Sequence, residues 1–392
     1  MDGKMMNKNK IVVIHPLDDS YGATKILSYT IAALSSHYRI EIWYKSSKGF
    51  LEAFLATQNI EGQNVIYKHM PSIPVVHSKI FNISGLYTLF KELIAFVWAV
   101  LKNKHSVDYF YINTYAAALA SFVCKLCAVK NIIHCHENQQ HKSSGRALAS
   151  LVRKCADKII CVSNVVKDYV CGPDKTTPAV VIMNGITDVF ADLINEKKVD
   201  WQNPKFLIVG RIMPEKGYWF LADAVKSLKE MQPLTFSIDA YGDAPPNRPT
   251  LADEYRNYLK TNDLENDIKL LGFSRQADRE MFNYDVVLVP SIMSDPFPTT
   301  VLEAMRAKCL VITTAHGGAA EIIENSKNGI LIEKDDTAAF AKVLKSIVQG
   351  ETDIISMASE ARLFYVENLT QSAFETKIVN CFDSFTKEHI NG

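Results

Sequence analysis

Four charged side chains in the second half of the chain have the types and spacing to hold a phosphorylated, hydroxyl-rich ligand. Arg211 and Lys216 lie in KFLIVGRIMPEKGYW, just past an apolar run that ends at Gly210. Asp295 and Glu303 stand eight positions apart in SDPFPTTVLEAM. A guanidinium can grip a phosphate through two parallel hydrogen bonds, and an ammonium adds a mobile point charge. Carboxylates accept hydrogen bonds from hydroxyls, so they suit a ribose or a sugar. Each loop also has a plainer reading. Two cations in a surface loop are ordinary solvated side chains. Thr300 and Glu303 have the T-x-x-E spacing of a capping box on a helix that begins near Thr300, which accounts for both without a ligand. Asp295 has no part in that box.

A third loop follows LVITTA, where His316, Gly317 and Gly318 precede AAEII. Paired glycines between a strand and a helix allow close backbone approach to a ligand, a weak signal by itself. The helix that opens near Thr300 offers the N–H groups of Thr299, Thr300 and Val301 to a phosphate. Taken together the loops describe one pocket with two cations, two helix N-termini and two carboxylates. The chain contains no Asp-x-Asp. The charge of a diphosphate is therefore expected to fall on Arg211 and Lys216, with no metal.

These loops need a scaffold, and the hydrophobic pattern supplies one. Short β-branched runs alternate with helical patterns. Strands are expected at IVVIHP (from Ile11), IEIWY (from Ile40), DYFYIN (from Asp108), NIIHCH (from Asn131), KIICVS (from Lys158) and VVIMN (from Val180). The second half adds KFLIVG (from Lys205), TFSIDAY (from Thr235), IKLLGF (from Ile268), VVLVP (from Val286) and LVITT (from Leu310). Nearly continuous apolar runs suit parallel strands covered on both faces, with helices as right-handed crossovers. That is a doubly wound α/β pattern, and its ligands bind beyond the carboxyl ends of the strands. At 392 residues the chain is long for one core. The rhythm breaks in DVFADLINEKKVDWQNP and restarts at Phe206. The expected division is a domain over 1–188, a linker over 189–204, a domain over 205–365 and a C-terminal helix over 366–392 that crosses back to the first domain. The two domains are expected to face a cleft.

Composition bounds the partners. Acidic and basic side chains balance at 43 each, so no net basic field for nucleic acid exists. The eight cysteines are scattered, and the lone C-x-x-C at Cys124 and Cys127 sits in a helical pattern, so buried thiols are expected rather than a metal site. No signal peptide is visible, and the expected location is cytoplasmic, at the inner face of the membrane if residues 80–101 touch it. That stretch, IFNISGLYTLFKELIAFVWAVL, is long enough to span a bilayer but is interrupted by Asn82, Ser84, Lys91 and Glu92. It reads as an ordinary core helix or as an amphipathic face on a membrane surface.

GRIMPEKG, DPFPTTVLEAM and the Gly-Gly-x-x-Glu of Gly317 to Glu321 resemble the donor-binding domain of retaining glycosyltransferases of family 4, which have the GT-B fold. Asp295 and Glu303 stand where that family has Glu-x7-Glu, with Asp in the first place. VIMNGITDVF resembles the end of the family's first domain (Asn184, Gly185, Phe190), and IIHCHEN its strand-end His followed by an acid (His136, Glu137). The resemblance covers nearly the whole chain and is looser in the first half. It implies transfer of a sugar from a UDP- or GDP-sugar to a glycan or lipid-linked glycan, with retained anomeric configuration and neither cofactor nor metal. Arg211 and Lys216 would hold the diphosphate, Glu303 the ribose, and Asp295 a sugar hydroxyl. His136 would lie beside the sugar; without the resemblance it reads as a satisfied buried histidine. The implied donor contacts further include Gly22, Asn184, Gly210, Pro298, Thr299, Thr300, Val301, Gly317 and Gly318, with the base near Phe273 and Ser274. The loop DDSYGATK offers only Gly22 where the family often has Gly-Gly. Rival readings are a nucleotide-sugar epimerase or hydrolase of the same fold, and a non-catalytic nucleotide-sugar-binding protein. A Rossmann oxidoreductase is disfavoured, since neither half has G-x-G-x-x-G after its first strand.

Overall fold

The computed structural model describes residues 9–18, 22–58, 60, 65–76, 82–138, 143–173 and 176–389. Contacts divide the chain into two units, residues 1–185 with 371–392, and residues 186–370. In the first unit the strands are β1 (Lys10–Leu17), β2 (Arg39–Ser46), β3 (Val65–His69), β4 (Tyr109–Ile112), β5 (Lys130–Cys135), β6 (Lys158–Cys161) and β7 (Ala179–Val181). Its helices are α1 (Gly22–Ser35), α2 (Phe50–Ala56), α3 (Ile83–Asn103), α4 (Ala118–Leu126), α5 (Ser143–Cys155) and α6 (Asn164–Cys171). The second unit has β8 (Phe206–Val209), α7 (Tyr218–Met231), β9 (Ile238–Tyr241), α8 (Leu251–Thr261), β10 (Ile268–Gly272), α9 (Ala277–Glu280), β11 (Val286–Val289), α10 (Thr299–Arg306), β12 (Leu310–Thr314), β13 (Ile330–Ile332), α11 (Thr337–Val348) and α12 (Ile354–Asn368). The last helix, α13 (Gln371–His389), belongs to the first unit.

All strand pairs are parallel. The first sheet runs β3-β2-β1-β4-β5-β6-β7 and the second β10-β9-β8-β11-β12-β13. Both are Rossmann-like: strand order reverses between β1 and β4 in one, and between β8 and β11 in the other. At such a switch point the flanking crossovers leave on opposite faces of the sheet and open a crevice past the strand ends. β3 and β13, absent from the expected strands, are the outer strands of their sheets, and each has only a partial apolar signal.

Each unit has its own core. In the first, Ile11, Val13, Ile40, Ile42, Tyr109 and Ile132 of the sheet pack with α1 and with Phe374, Ile378, Phe382 and Phe385 of α13. Those three phenylalanines are at most 1 % exposed, and each contributes about 1.5–3 kcal/mol by burial. Tyr38 ties the same helix down, its hydroxyl donating to Asp383 at 2.7 Å. In the second unit Phe206, Ile208, Val286, Leu288, Leu310 and Ile312 meet α7 and α11.

The segment expected as a linker is fastened to the second unit. Buried Lys197 donates to the carbonyls of Tyr284 (2.7 Å) and Ala307 (2.6 Å). Asp188 pairs with Arg362 at 2.5 Å, and the Asp200 amide donates to Asp285 at 3.0 Å. An ammonium placed among buried carbonyls is held by hydrogen bonds that a free linker would not supply. All eight cysteines are free thiols, seven of them buried. Burial pushes the Cys124 thiol well up and the Cys127 thiol up as well.

The core-helix reading of residues 80–101 holds for one side of the helix only. Ile80 and Phe81 lie outside the described residues. Over Ser84–Asn103 only 17 % of the apolar window is buried. Phe96, Ala99 and Val100 face inward while Leu86, Phe90, Ile94 and Trp98 are exposed.

Candidate functional site

Three loops past the strand ends of the second sheet are sewn together. The loop after β8 makes a 3-10 turn at Pro214–Lys216, and Gly217 takes a left-handed φ of 80° before α7. A side chain at Gly217 would put its Cβ 1.8 Å from the Pro290 carbonyl oxygen, so the β8 loop lies directly on the β11 loop. The Glu215 carbonyl accepts from the amides of Ile292 (3.1 Å) and Met293 (3.2 Å) and from the Ser291 hydroxyl (3.2 Å). The Thr314 hydroxyl, from β12, donates to the Ser291 carbonyl at 2.5 Å.

The paired glycines serve this joinery. Gly317 has φ 69°, and a Cβ there would stand 2.6 Å from the Asp295 carbonyl oxygen. At Gly318 it would stand 2.1 Å from the Pro296 carbonyl oxygen, and the Gly318 amide donates to the Asp295 carbonyl at 2.9 Å. Both glycines thus pack closely on the backbone of Asp295–Phe297. Gly317 and Gly318 position Asp295.

Asp295 and Lys216 face each other, with Nζ–Oδ2 2.6 Å and side-chain exposures of 20 % and 25 %. Sequence spacing gave them separate tasks and did not show them as a pair. A partly exposed pair of this kind contributes about 0–1 kcal/mol net. Arg211 is exposed, one residue past Gly210, whose amide donates to the Tyr241 carbonyl at 3.0 Å.

The capping-box expectation fails. Helix α10 begins at Thr299, with Pro298 at the N-cap and no side-chain cap. Thr300 is already inside the helix, and Glu303 lies more than one turn in, half-buried. Proline suits this place because its ring presets φ and it has no N–H to satisfy. The Val301 amide, nominated for phosphate, donates instead to the Pro298 carbonyl at 3.2 Å. Thr299 and Thr300, as the first two helical residues, have no acceptor within their own helix and keep the N-terminal positive field.

Phe273 and Ser274 follow β10, at the far edge of the sheet and separated from β8 by β9. Phe273 is 71 % exposed, a ring free for stacking. Gly242, which the sequence did not single out, joins this edge to the centre. Its amide donates to the Gly272 carbonyl at 2.9 Å, and a Cβ on it would stand 2.0 Å from the Gly210 carbonyl oxygen. A single glycine after a strand gives no distinct signal.

In the first unit, the ends of β1, β4 and β5 carry His15, Asn113 and His136. His136 Nε2 is 3.2 Å from Asn113 Oδ1, and its ring lies 4.0 Å from that of His134. His134 Nδ1 meets the Tyr111 hydroxyl at 2.8 Å. Burial, with a smaller push from His15, lowers the His136 pKa to about 3, and burial holds His134 well below its ordinary range. Both are neutral at neutral pH. Burial raises Glu137 even though it accepts from the Thr114 hydroxyl (2.5 Å) and the Tyr115 amide (3.3 Å). Burial opposes the charge on Asp18, but His15 and the amides of Lys48 and Leu51 overrule it and hold that carboxyl far below the usual range. His15, Asp18 and Asn113 were missed because isolated polar residues at strand ends look like loop. Asn184 is 6 % exposed, with Oδ1 buried and unpartnered, and Gly22 is the first residue of α1. Residues 19–21 of the DDSYGATK loop lie outside the described residues.

Comparisons with known proteins bear on this geometry. Residues 203–350 match the family model of glycosyl transferases group 1. The amylovoran biosynthesis glycosyltransferase AmsK of Erwinia amylovora is 29% identical over 166 residues, 40% of this chain and 39% of that protein. The UDP-Gal:alpha-D-GlcNAc-diphosphoundecaprenol alpha-1,3-galactosyltransferase of Escherichia coli is 24% identical over 315 residues, 75% of this chain and 76% of that protein. The chain thus spans well under half of the first relative and about three quarters of the second. The crystal structure of Anabaena Alr3699/HepE in complex with UDP superposes with a TM-score of 0.76 at 20% identity, over 96% of this chain and 100% of that one. At that identity the likeness is one of fold: two parallel-sheet Rossmann-like domains of the GT-B type.

Proposed function

We propose that this chain is a retaining hexosyltransferase of glycosyltransferase family 4. It moves a sugar from a UDP- or GDP-sugar to a glycan or lipid-linked glycan acceptor, without a metal, in the cytoplasm at the inner face of the membrane. The observation that carries the reading is the Lys216–Asp295 pair, 2.6 Å apart in the loops sewn together at the switch point of the second sheet. The names of the relatives support it: one is a glycosyltransferase of amylovoran biosynthesis, and the other transfers galactose from a UDP-sugar to a diphosphoundecaprenol-linked acceptor.

The mechanism follows from the pair. A bound diphosphate offers Lys216 more negative charge than one carboxylate does, so the ammonium turns to it and Asp295 is released. Asp295 then accepts a hydroxyl of the donor sugar. Arg211 grips the diphosphate, the amides of Thr299 and Thr300 meet the distal phosphate, and Glu303 takes the ribose hydroxyls. The bond between the anomeric carbon and the phosphate oxygen breaks, leaving an oxocarbenium-like sugar. The acceptor oxygen attacks from the same face, and its proton passes to the departing phosphate oxygen. Positioning and stabilisation of leaving-group charge supply the rate, with no protein nucleophile. His136, for which the resemblance implies a place beside the sugar, acts as a neutral hydrogen-bonding ring.

A thermal-shift screen of nucleotide-sugars tests the donor, because a ligand of the folded state alone must raise its stability. One UDP- or GDP-sugar is expected to raise the melting temperature; no shift with any of them defeats the reading. Product with inverted anomeric configuration defeats retention, and loss of turnover in EDTA defeats metal independence.

A further inference from the structure

Helix α3 turns a stripe of large apolar side chains to solvent. Leu86, Phe90, Ile94, Trp98 and Leu101 recur at intervals of three or four residues, and Tyr87 adjoins them. Their exposures run from 42 % at Leu101 to 65 % at Trp98. That spacing places them along one side of a helix about 31 Å long. The opposite side, with Phe96, Ala99 and Val100, is buried in the first unit. On the neighbouring α4, Phe122 and Leu126 are exposed at 38 % and 64 %, again four residues apart. A run of exposed apolar residues this long marks an interaction surface.

The charges select the partner. Lys91 lies over the Tyr87 ring at 4.3 Å and Lys102 over the Trp98 ring at 5.1 Å. The acidic residue of α3, Glu92, is bound to Lys45 at 2.7 Å, away from the stripe. The exposed side therefore combines apolar bulk, two amphipathic aromatic rings and two lysines that pair with no carboxylate among the described residues. We propose that α3 lies in the interface of a lipid bilayer with anionic headgroups, parallel to its plane. Its aromatics sit at headgroup depth and its lysines lie among phosphates. It does not span the bilayer, because its buried side is already part of the core of the first unit. The inference stands independently of sugar transfer, and its test uses no turnover.

The test is cosedimentation of the full chain with vesicles of phosphatidylcholine alone or with about one third phosphatidylglycerol, at low salt. Binding is expected to the anionic vesicles, at least tenfold weaker for Phe90→Ser/Trp98→Ser and severalfold weaker for Lys91→Glu/Lys102→Glu. The substituted positions are exposed, and unchanged melting temperatures would show that the variants fold. Absence of vesicle binding overturns the proposal. So does binding that survives both double substitutions, or a self-association that Phe90→Ser/Trp98→Ser abolishes while vesicles go unbound.

Discussion

Where strand order reverses in the first unit, the crevice is lined by His15, Asn113, His136 and the raised carboxyl of Glu137. Where it reverses in the second unit, the crevice is lined by Lys216 and Asp295 as an ion pair, and the loop that carries Asp295 runs on into the N-terminus of α10. Topology is shared and chemistry is not. In the first unit burial favours the neutral forms of His134, His136 and Glu137, while Asp18 keeps its charge through His15 and backbone amides; neutral groups discriminate by hydrogen-bond geometry. In the second unit the charges remain partly exposed and can change partners at little cost. The lesson is that a switch point supplies a location, while the depth at which its side chains sit decides between recognition and electrostatic work.

The hardest blow to this contrast is to remove the mobile charge. Lys216→Ala should lower turnover by roughly 10²–10³-fold, the loss of one charged donor or about 2.7–4 kcal/mol of transition-state stabilisation. Steady-state rates with the identified donor check this, and near-full turnover would break the assignment of the second crevice. Next comes the loop that holds Asp295. Gly318→Ala should cost about 2–4 kcal/mol, because its Cβ would stand 2.1 Å from a carbonyl oxygen that cannot move freely. Gly210→Ala meets nothing within 4 Å and should cost about 1 kcal/mol of backbone strain. Paired thermal melts compare the two, and equal losses would contradict the close packing of Gly318.

A smaller and less intuitive effect separates the two members of the ion pair. Asp295→Asn frees Lys216, so UDP or GDP should bind about two- to fivefold tighter, from roughly 0.5–1 kcal/mol, while sugar transfer falls. Calorimetry reads it; weaker nucleotide binding would mean that the pair positions Lys216 instead of occupying it. The gentlest probe is pH. His136 has an ordinary pKa of 6.5 and about 3 in the fold, so below 6.5 the unfolded chain takes up a proton that the folded chain refuses. Its share of stability is whole above about 6.5 and is lost as pH falls toward 3. Urea melts at pH 7 and pH 4.5 should show a smaller loss for His136→Gln than for the native chain, whereas Lys216→Ala should leave that difference unchanged.

Much of this was legible in the chain itself, for reasons particular residues make plain. Central strands such as Val286–Val289 are covered on both faces, so they read as unbroken apolar runs. Two of the four outermost strands escaped. Val65–His69 mixes Tyr67, Lys68 and His69 with two aliphatic residues, and Ile330–Ile332 is only three residues long. The charged members of the site could be named from their types and from the resemblance. Their pairing could not, because 79 positions separate Lys216 from Asp295, and the loops are brought together by the stacking of Gly217 on Pro290 and by the hydrogen bonds of the Glu215 carbonyl to Ser291, Ile292 and Met293. The capping box misled because T-x-x-E spacing at Thr300 and Glu303 ignores the residue before it, and with Pro298 as N-cap the helix starts at Thr299, one residue before Thr300.

Helix α13 carries one more consequence, in the order of events rather than in space. The first unit is begun by the first strand and finished by residues 374–385, with the whole second unit inserted between them. On the ribosome the inserted unit is complete while its host still lacks part of its core, so the usual N-terminal-first order is inverted. Until α13 arrives, the apolar faces it will cover on Ile11, Tyr109 and Tyr111 stand open, and a chain stalled near residue 370 would be a client for chaperones although its second half is already folded.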